Sequence, residues 1–60
     1  MNNIYCVDIV DDIYAWCWCD EEGRLVCVDA TIEIVNDALR RGIPWCSKEI
    51  ERECKKRRKR

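Results

Sequence analysis

Cysteine is the residue type in this chain with the most chemistry to offer. Six of the 60 residues are cysteines, a density typical of disulfide-stabilised scaffolds. We take all six as disulfide candidates: Cys6, Cys17, Cys19, Cys27, Cys46 and Cys54. Two alternatives stay open, namely free thiols that pack as small apolar groups and a metal site built from thiolates.

Spacing weakens the metal alternative. The chain has no histidine and no Cys-x-x-Cys pair, which are the usual elements of zinc sites. Its closest pair, Cys17 and Cys19, is separated by one tryptophan, and on a strand this spacing does not form a zinc knuckle. A set of Cys6, Cys17, Cys19 and Cys27 is the one metal site the sequence offers. We predict no metal and no cofactor.

The residues also argue against an enzyme. Without histidine, nucleophiles activated by a Cys–His or Ser–His–Asp arrangement are excluded. Asp11 and Asp12 have the positions of turn residues, and Ser47 that of a helix cap. No basic residue flanks Cys17 or Cys19 to activate a thiolate. We predict no catalytic residue.

The apolar pattern of the first half predicts three strands, at residues 4–10, 13–19 and 25–29. Asp11-Asp12 has the length of a two-residue hairpin loop. Residues 21–23 form a three-residue loop that ends on Gly23, where a left-handed conformation is needed. The result is an antiparallel meander.

The second half changes to the period of a helix. Asp29 or Thr31 can cap a first helix, and residues 40–42 (Arg-Arg-Gly) end it. Ser47 caps a second helix. The predicted fold class is α+β, a three-stranded antiparallel β-meander followed by two helices (βββαα), with one layer of helices on the sheet. Residues 1–60 form a single domain.

The two hairpin loops fix the register of the sheet. Cys6 then lies opposite Cys17, and Cys17 opposite Cys27. Because side chains alternate, one face carries the aromatic residues and the other the sheet cysteines. We call the first the aromatic face (Tyr5, Val7, Ile9, Tyr14, Trp16, Trp18, Val26, Val28) and the second the cysteine face (Cys6, Cys17, Cys19, Cys27).

Which face the helices cover is left open by the sequence. The second helix has a thin apolar stripe of Cys46, Ile50 and Cys54, so its two cysteines are expected to bond to sheet cysteines and anchor it. That packing exposes an aromatic binding face for a second copy or another protein: Tyr5, Tyr14, Trp16 and Trp18. The opposite packing buries the aromatics and leaves the sheet cysteines to bond among themselves.

Charge is distributed unevenly. Residues 1–22 carry six acidic and no basic side chains, whereas residues 43–60 carry eight basic and three acidic ones. Residues 55–60 are predicted to form a basic, frayed C-terminal tail: Lys55, Lys56, Arg57, Arg58, Lys59 and Arg60. Such a tail contacts nucleic acid or suits the negative end of a helix dipole. The acidic sheet half argues against nucleic acid as a partner.

No membrane partner or compartment is indicated. The N-terminus lacks the basic region and apolar run of a signal peptide, and no apolar stretch approaches the ~20 residues that span a bilayer. Disulfides would require folding in an oxidising environment.

The local structural preferences of the sequence match the predicted fold throughout. Residues 21–24 (Glu-Glu-Gly-Arg) form a minimal turn, and residues 47–53 have the composition of an idealised surface helix. In this the chain resembles computationally designed (de novo) miniproteins stapled by disulfides. The resemblance implies a scaffold with no intrinsic biochemical activity and no required partner. The alternative is a small binding module, either a viral- or phage-type protein that engages a host protein or a nucleic-acid binder through its basic C-terminus.

A second resemblance covers about half of the chain. From residue 25 onward, the order strand-helix-helix resembles that of ribbon-helix-helix repressors. The turn at residues 42–47 is longer than in that family, and the strand already has a hairpin partner. Both departures leave the strand less free to pair with a second copy.

Overall fold

The computed structural model describes residues 3–57. Three strands, β1 (Tyr5–Val10), β2 (Ile13–Cys19) and β3 (Leu25–Asp29), form one antiparallel sheet in the order β1-β2-β3. Two helices follow, α1 (Ile32–Arg40) and α2 (Lys48–Lys56). The predicted α+β fold in the order βββαα is therefore confirmed, and β1 begins one residue later than expected.

Turn chemistry sets the register. Asp11 and Asp12 both have positive φ, of 50° and 63°, as a two-residue turn that matches the twist of its strands requires. Gly23 has φ 79°. The Asp20 carboxylate accepts hydrogen bonds at 2.9 Å from the backbone N–H groups of Glu22 and Arg24. The strands consequently pair as predicted.

Helix α1 packs on the aromatic face around Val7. Thr31 caps it by accepting a hydrogen bond from the backbone N–H of Ile34 at 3.2 Å. The side chains of Val35 and Ala38 then form the buried core with Val7 of β1. The partly buried residues packed against this core are Tyr14, Trp16, Ala30, Leu39 and Ile43.

The chain next crosses the edge of β1. Val7 donates a hydrogen bond to the Pro44 carbonyl at 3.0 Å, and Cys46 donates one to the Val7 carbonyl at 2.9 Å. This parallel bridge between Val7 and Trp45 carries the chain from the core around Ile43 to the cysteine face, where Cys46 bonds to Cys6. We call residues 43–46 the crossing segment.

The crossing places the two helices on opposite faces of the sheet. Helix α1 contacts the aromatic face, and α2 is bonded through Cys54 to Cys19 of the cysteine face. The two helices are therefore attached to different faces of the sheet. Physically, α1 has an apolar stripe that buries on Val7, whereas Cys54 is the single buried residue of α2.

The start and end of α2 also differ from expectation. Ser47 caps it, accepting a hydrogen bond from the backbone N–H of Ile50 at 3.3 Å, so Cys46 precedes the helix and the predicted helical stripe through Cys46 was wrong. Lys55 and Lys56 form its last turn, so the predicted frayed tail begins as ordered helix. Arg57 is the C-cap residue. Arg58, Lys59 and Arg60 lie outside the described residues. No helix within residues 3–57 is long and apolar enough to cross a membrane.

Candidate functional site

The candidate site is the disulfide-bonded cysteine face. Three bridges join all six cysteines, and none of the six is free. Their Cα atoms lie 4.9 Å apart in Cys6–Cys46, 4.1 Å apart in Cys17–Cys27 and 5.6 Å apart in Cys19–Cys54. The prediction of a disulfide-rich domain is confirmed.

Each bridge fastens a different pair of elements. Cys17–Cys27 joins directly opposed residues of β2 and β3. Cys6–Cys46 fixes the crossing segment to β1, and Cys19–Cys54 fixes α2 to β2. The two pairing schemes that the sequence left as alternatives, helix anchoring and bonding within the sheet, therefore coexist.

The six cysteine residues differ sharply in exposure. Cys6 and Cys17 are 0% exposed, Cys54 is 1% and Cys19 is 5% exposed. Cys27 is exposed and Cys46 is half-buried. Along the Cys17–Cys27 bond, one partner is therefore closed to solvent and the other is open to it.

Three sulfurs from two different bridges form a compact group. The Sγ atoms of Cys6, Cys17 and Cys46 all lie within 4.8 Å of one another; we call them the sulfur cluster. The four-cysteine set inferred from sequence shares Cys6 and Cys17 with this cluster, but it contained Cys19 and Cys27 and lacked Cys46. The sequence missed Cys46 because its position depends on the crossing segment.

The sulfur cluster has the ligand type that soft metals prefer, but its three atoms all belong to disulfides, Cys6 bonded to Cys46 and Cys17 bonded to Cys27. A thiolate, not a disulfide sulfur, is the strong metal ligand. As bridged here, the cluster supplies none.

The predicted aromatic binding face is divided between core and surface. The rings of Tyr5 and Trp16 stack with centroids 5.2 Å apart, and Tyr5 is 40% exposed. Tyr14 and Trp16 pack against the core under α1, and Trp18 is half-buried. The four residues therefore do not form one bare surface.

An apolar groove between α1 and β3 is a second feature, which sequence reasoning missed. It has a volume of about 360 Å³ and is lined mainly by Trp16, Val28, Ile34 and Ile43. Val28 and Ile34 are 47% and 50% exposed. The groove exists because the core contacts of α1 are centred on Val7, which leaves the β3 side open.

Charged groups form two surface ion pairs among the described residues. Arg41 contacts Asp37 at 3.0 Å, beside the apolar groove, and Arg24 contacts Glu22 at 2.9 Å in the second hairpin loop. All four side chains are more than half exposed, so each pair contributes little to stability. Lys55 and Lys56 are exposed.

Comparison with protein-family models, with curated proteins and with solved structures finds no match to this chain. Its function is therefore argued from its own geometry.

Proposed function

We propose that this protein is a disulfide-stabilised scaffold of de novo type with no intrinsic biochemical activity. The observation that supports this is the placement of the bridges relative to the apolar core. The buried core cluster contains Val7, Val35 and Ala38, which is small even for a short chain. The bridges supply connections where that cluster does not reach, namely at β3, at Cys46 at the end of the crossing segment, and at α2.

Helix α2 supports the proposal most directly. Seven of its nine residues are charged, and it is too short to be stable alone, since isolated helices shorter than ~12–15 residues are marginal in water. Its attachment to the sheet is covalent. A chain of this size rarely gains more than about 3–5 kcal/mol from a single core and generally needs such staples.

Alkylation of the native protein without reductant, followed by intact mass measurement, tests the proposal. We expect no modified thiol in the untreated protein, and six after reduction in denaturant. Peptide mapping should then identify Cys6–Cys46, Cys17–Cys27 and Cys19–Cys54. Six modifiable thiols in a folded, untreated protein would refute the scaffold proposal.

A second candidate function is a small binding module, favoured by the apolar groove. Trp16, Val28, Ile34 and Ile43 would accept an apolar side chain of a protein partner or of a second copy. Sedimentation over a wide concentration range, with Val28→Glu as the disrupting variant and the exposed Val10→Glu as control, tests self-association. A monomer at every concentration for all three proteins would remove the homodimer version.

A further inference from the structure

Cys17 lies at a junction between two bridges. Its Sγ is bonded to that of Cys27 and lies within 4.8 Å of the Sγ atoms of both Cys6 and Cys46. Thiol–disulfide exchange proceeds by attack of a thiolate on a disulfide sulfur. A thiolate released at Cys17 would therefore already be beside the Cys6–Cys46 bond.

The sheet offers Cys17 a second partner at a suitable distance. Cys19 donates a backbone hydrogen bond to Ile4 at 3.1 Å, which makes those two residues a hydrogen-bonded pair. Because the two kinds of pair alternate along antiparallel strands, Cys6 and Cys17 form a hydrogen-bonded pair as well. The Cα atoms of such a pair lie about 5.5 Å apart, within the ~4.4–6.8 Å range of disulfides.

We propose that the cysteine face is a thiol–disulfide exchange site that takes low-molecular-weight thiols. Cys27 is the entry sulfur, Cys17 is the internal nucleophile, and the site has a second bridging state with Cys6–Cys17 bonded and Cys46 free. This inference rests on the bridged scaffold of the proposed function, because the bridges must be present before they can exchange. The exchange is stoichiometric and rearranges the scaffold's own bridges, so it adds no catalytic turnover to a chain proposed to have none.

The exchange balances without any further reagent. The thiolate of the small molecule attacks Sγ of Cys27, the exposed residue of the bridge, and forms a mixed disulfide. The Cys17–Cys27 bond breaks, and its electron pair leaves on Cys17. The Cys17 thiolate then attacks Sγ of Cys6, and the Cys6–Cys46 bond breaks. Cys46 departs as a thiolate and takes a proton from solvent, so two disulfides are lost and two are formed.

Exposure gives the exchange its direction. Cys27 is the accessible end of its bridge, whereas Cys17 is 0% exposed, so an external thiol can reach only the Cys27 side. A thiolate at Cys17 lacks solvation. Cys46 is half-buried, so transfer of the bond to Cys6 moves the anion to a site that water can reach. Loss of the Cys6–Cys46 bond leaves the crossing segment held by its two hydrogen bonds to Val7 and by the packing of Ile43, while Cys19–Cys54 still holds α2.

The variant Cys27→Ala tests the internal step, since it leaves Cys17 as a thiol beside an intact bridge. We expect its single free thiol, trapped by alkylation after acid quenching and located by mass spectrometry, to be at Cys46, with Cys6 bonded to Cys17. The matched variant Cys17→Ala removes the nucleophile. Its free thiol should stay at Cys27 and its Cys6–Cys46 bridge should be unchanged.

The two possible failures are distinguishable. If the wild type has its three bridges but the thiol of Cys27→Ala remains at Cys17, the exchange proposal is wrong and the scaffold proposal stands. If the wild type has no bridges, the scaffold proposal fails first.

A second measurement does not depend on the folding of a variant. Wild-type protein treated briefly with limiting glutathione should carry glutathione on Cys27 and a free thiol at Cys46. Glutathione found first on Cys46, or a free thiol that stays at Cys17, would overturn the exchange proposal.

Discussion

Removal of the Cys19–Cys54 bridge should detach α2 while leaving the rest of the fold in place. The double variant Cys19→Ala/Cys54→Ala deletes a cross-link between residues 35 positions apart. For a loop of that length, the entropy of loop closure corresponds to about 3.8 kcal/mol at 25 °C. Burial of the Cys54 side chain, in contrast, contributes about 1 kcal/mol. The covalent link is therefore the larger part of what holds α2.

Amide hydrogen exchange measures the detachment of α2 residue by residue. A change of about 3.8 kcal/mol corresponds to roughly a 500-fold change in an equilibrium constant, so the amides of α2 should lose most of their protection. Those of β1, β2 and α1 should retain theirs, since the core around Val7 and the other two bridges remain.

The control is Cys17→Ala/Cys27→Ala, which deletes a cross-link of separation 10. Its loop-closure contribution is about 2.7 kcal/mol, and it does not touch α2. We expect this variant to lower the stability of the β2–β3 pair and to keep the α2 amides protected. Protection of α2 that survives the loss of Cys19–Cys54, or that falls equally in both variants, would refute the reasoning.

Four further predictions concern the core, the turns and the metal alternative. Val35→Ala should lower the free energy of unfolding by about 2 kcal/mol in denaturant titrations, because Val35 is 1% exposed; Val28→Ala, at a position 47% exposed, should change it by less than about 0.5 kcal/mol. Asp12→Gly should raise the melting temperature, because Asp12 has φ 63°. Gly42→Ala should lower stability by about 1 kcal/mol through its backbone alone, because Gly42 has φ 91° and no atom lies within 4 Å of an added Cβ. EDTA should leave the melting curve of the oxidised protein unchanged, and a chelator-dependent loss of structure would favour the metal site instead.

The sheet could be predicted in detail because its loops are short and unambiguous. Two residues at Asp11-Asp12 and three ending at Gly23 leave one register, and that register alone places Cys17 opposite both Cys6 and Cys27. Alternation then assigns every side chain of the sheet to a face. Hairpin loops carry this information locally, so no knowledge of the tertiary packing was needed.

The position of Cys46 shows that local sequence patterns do not predict long-range contacts. Its spacing to Ile50 and Cys54 fits a helix, yet Ser47 is itself a cap signal, and the residue before a cap lies outside the helix. That signal was present in the sequence. The parallel bridge to Val7, in contrast, is a long-range contact, and the local sequence Ile-Pro-Trp at residues 43–45 does not predict it.

The sequence left open which face of the sheet the helices cover, because both helices were taken to lie on the same face. Each helix lies on the face of the sheet that offers a partner for its own buried side chains. Helix α1 carries Val35 and Ala38 and takes the apolar surface around Val7. Helix α2 has one buried residue, Cys54, which suits a face where the available partner is another sulfur. The apolar groove beside Val28 follows from the same division, because a single helix of nine residues does not cover three strands. Covalent bonds hold the side of the sheet that lacks an apolar partner, so reduction should loosen the cysteine face before it disturbs the core under α1.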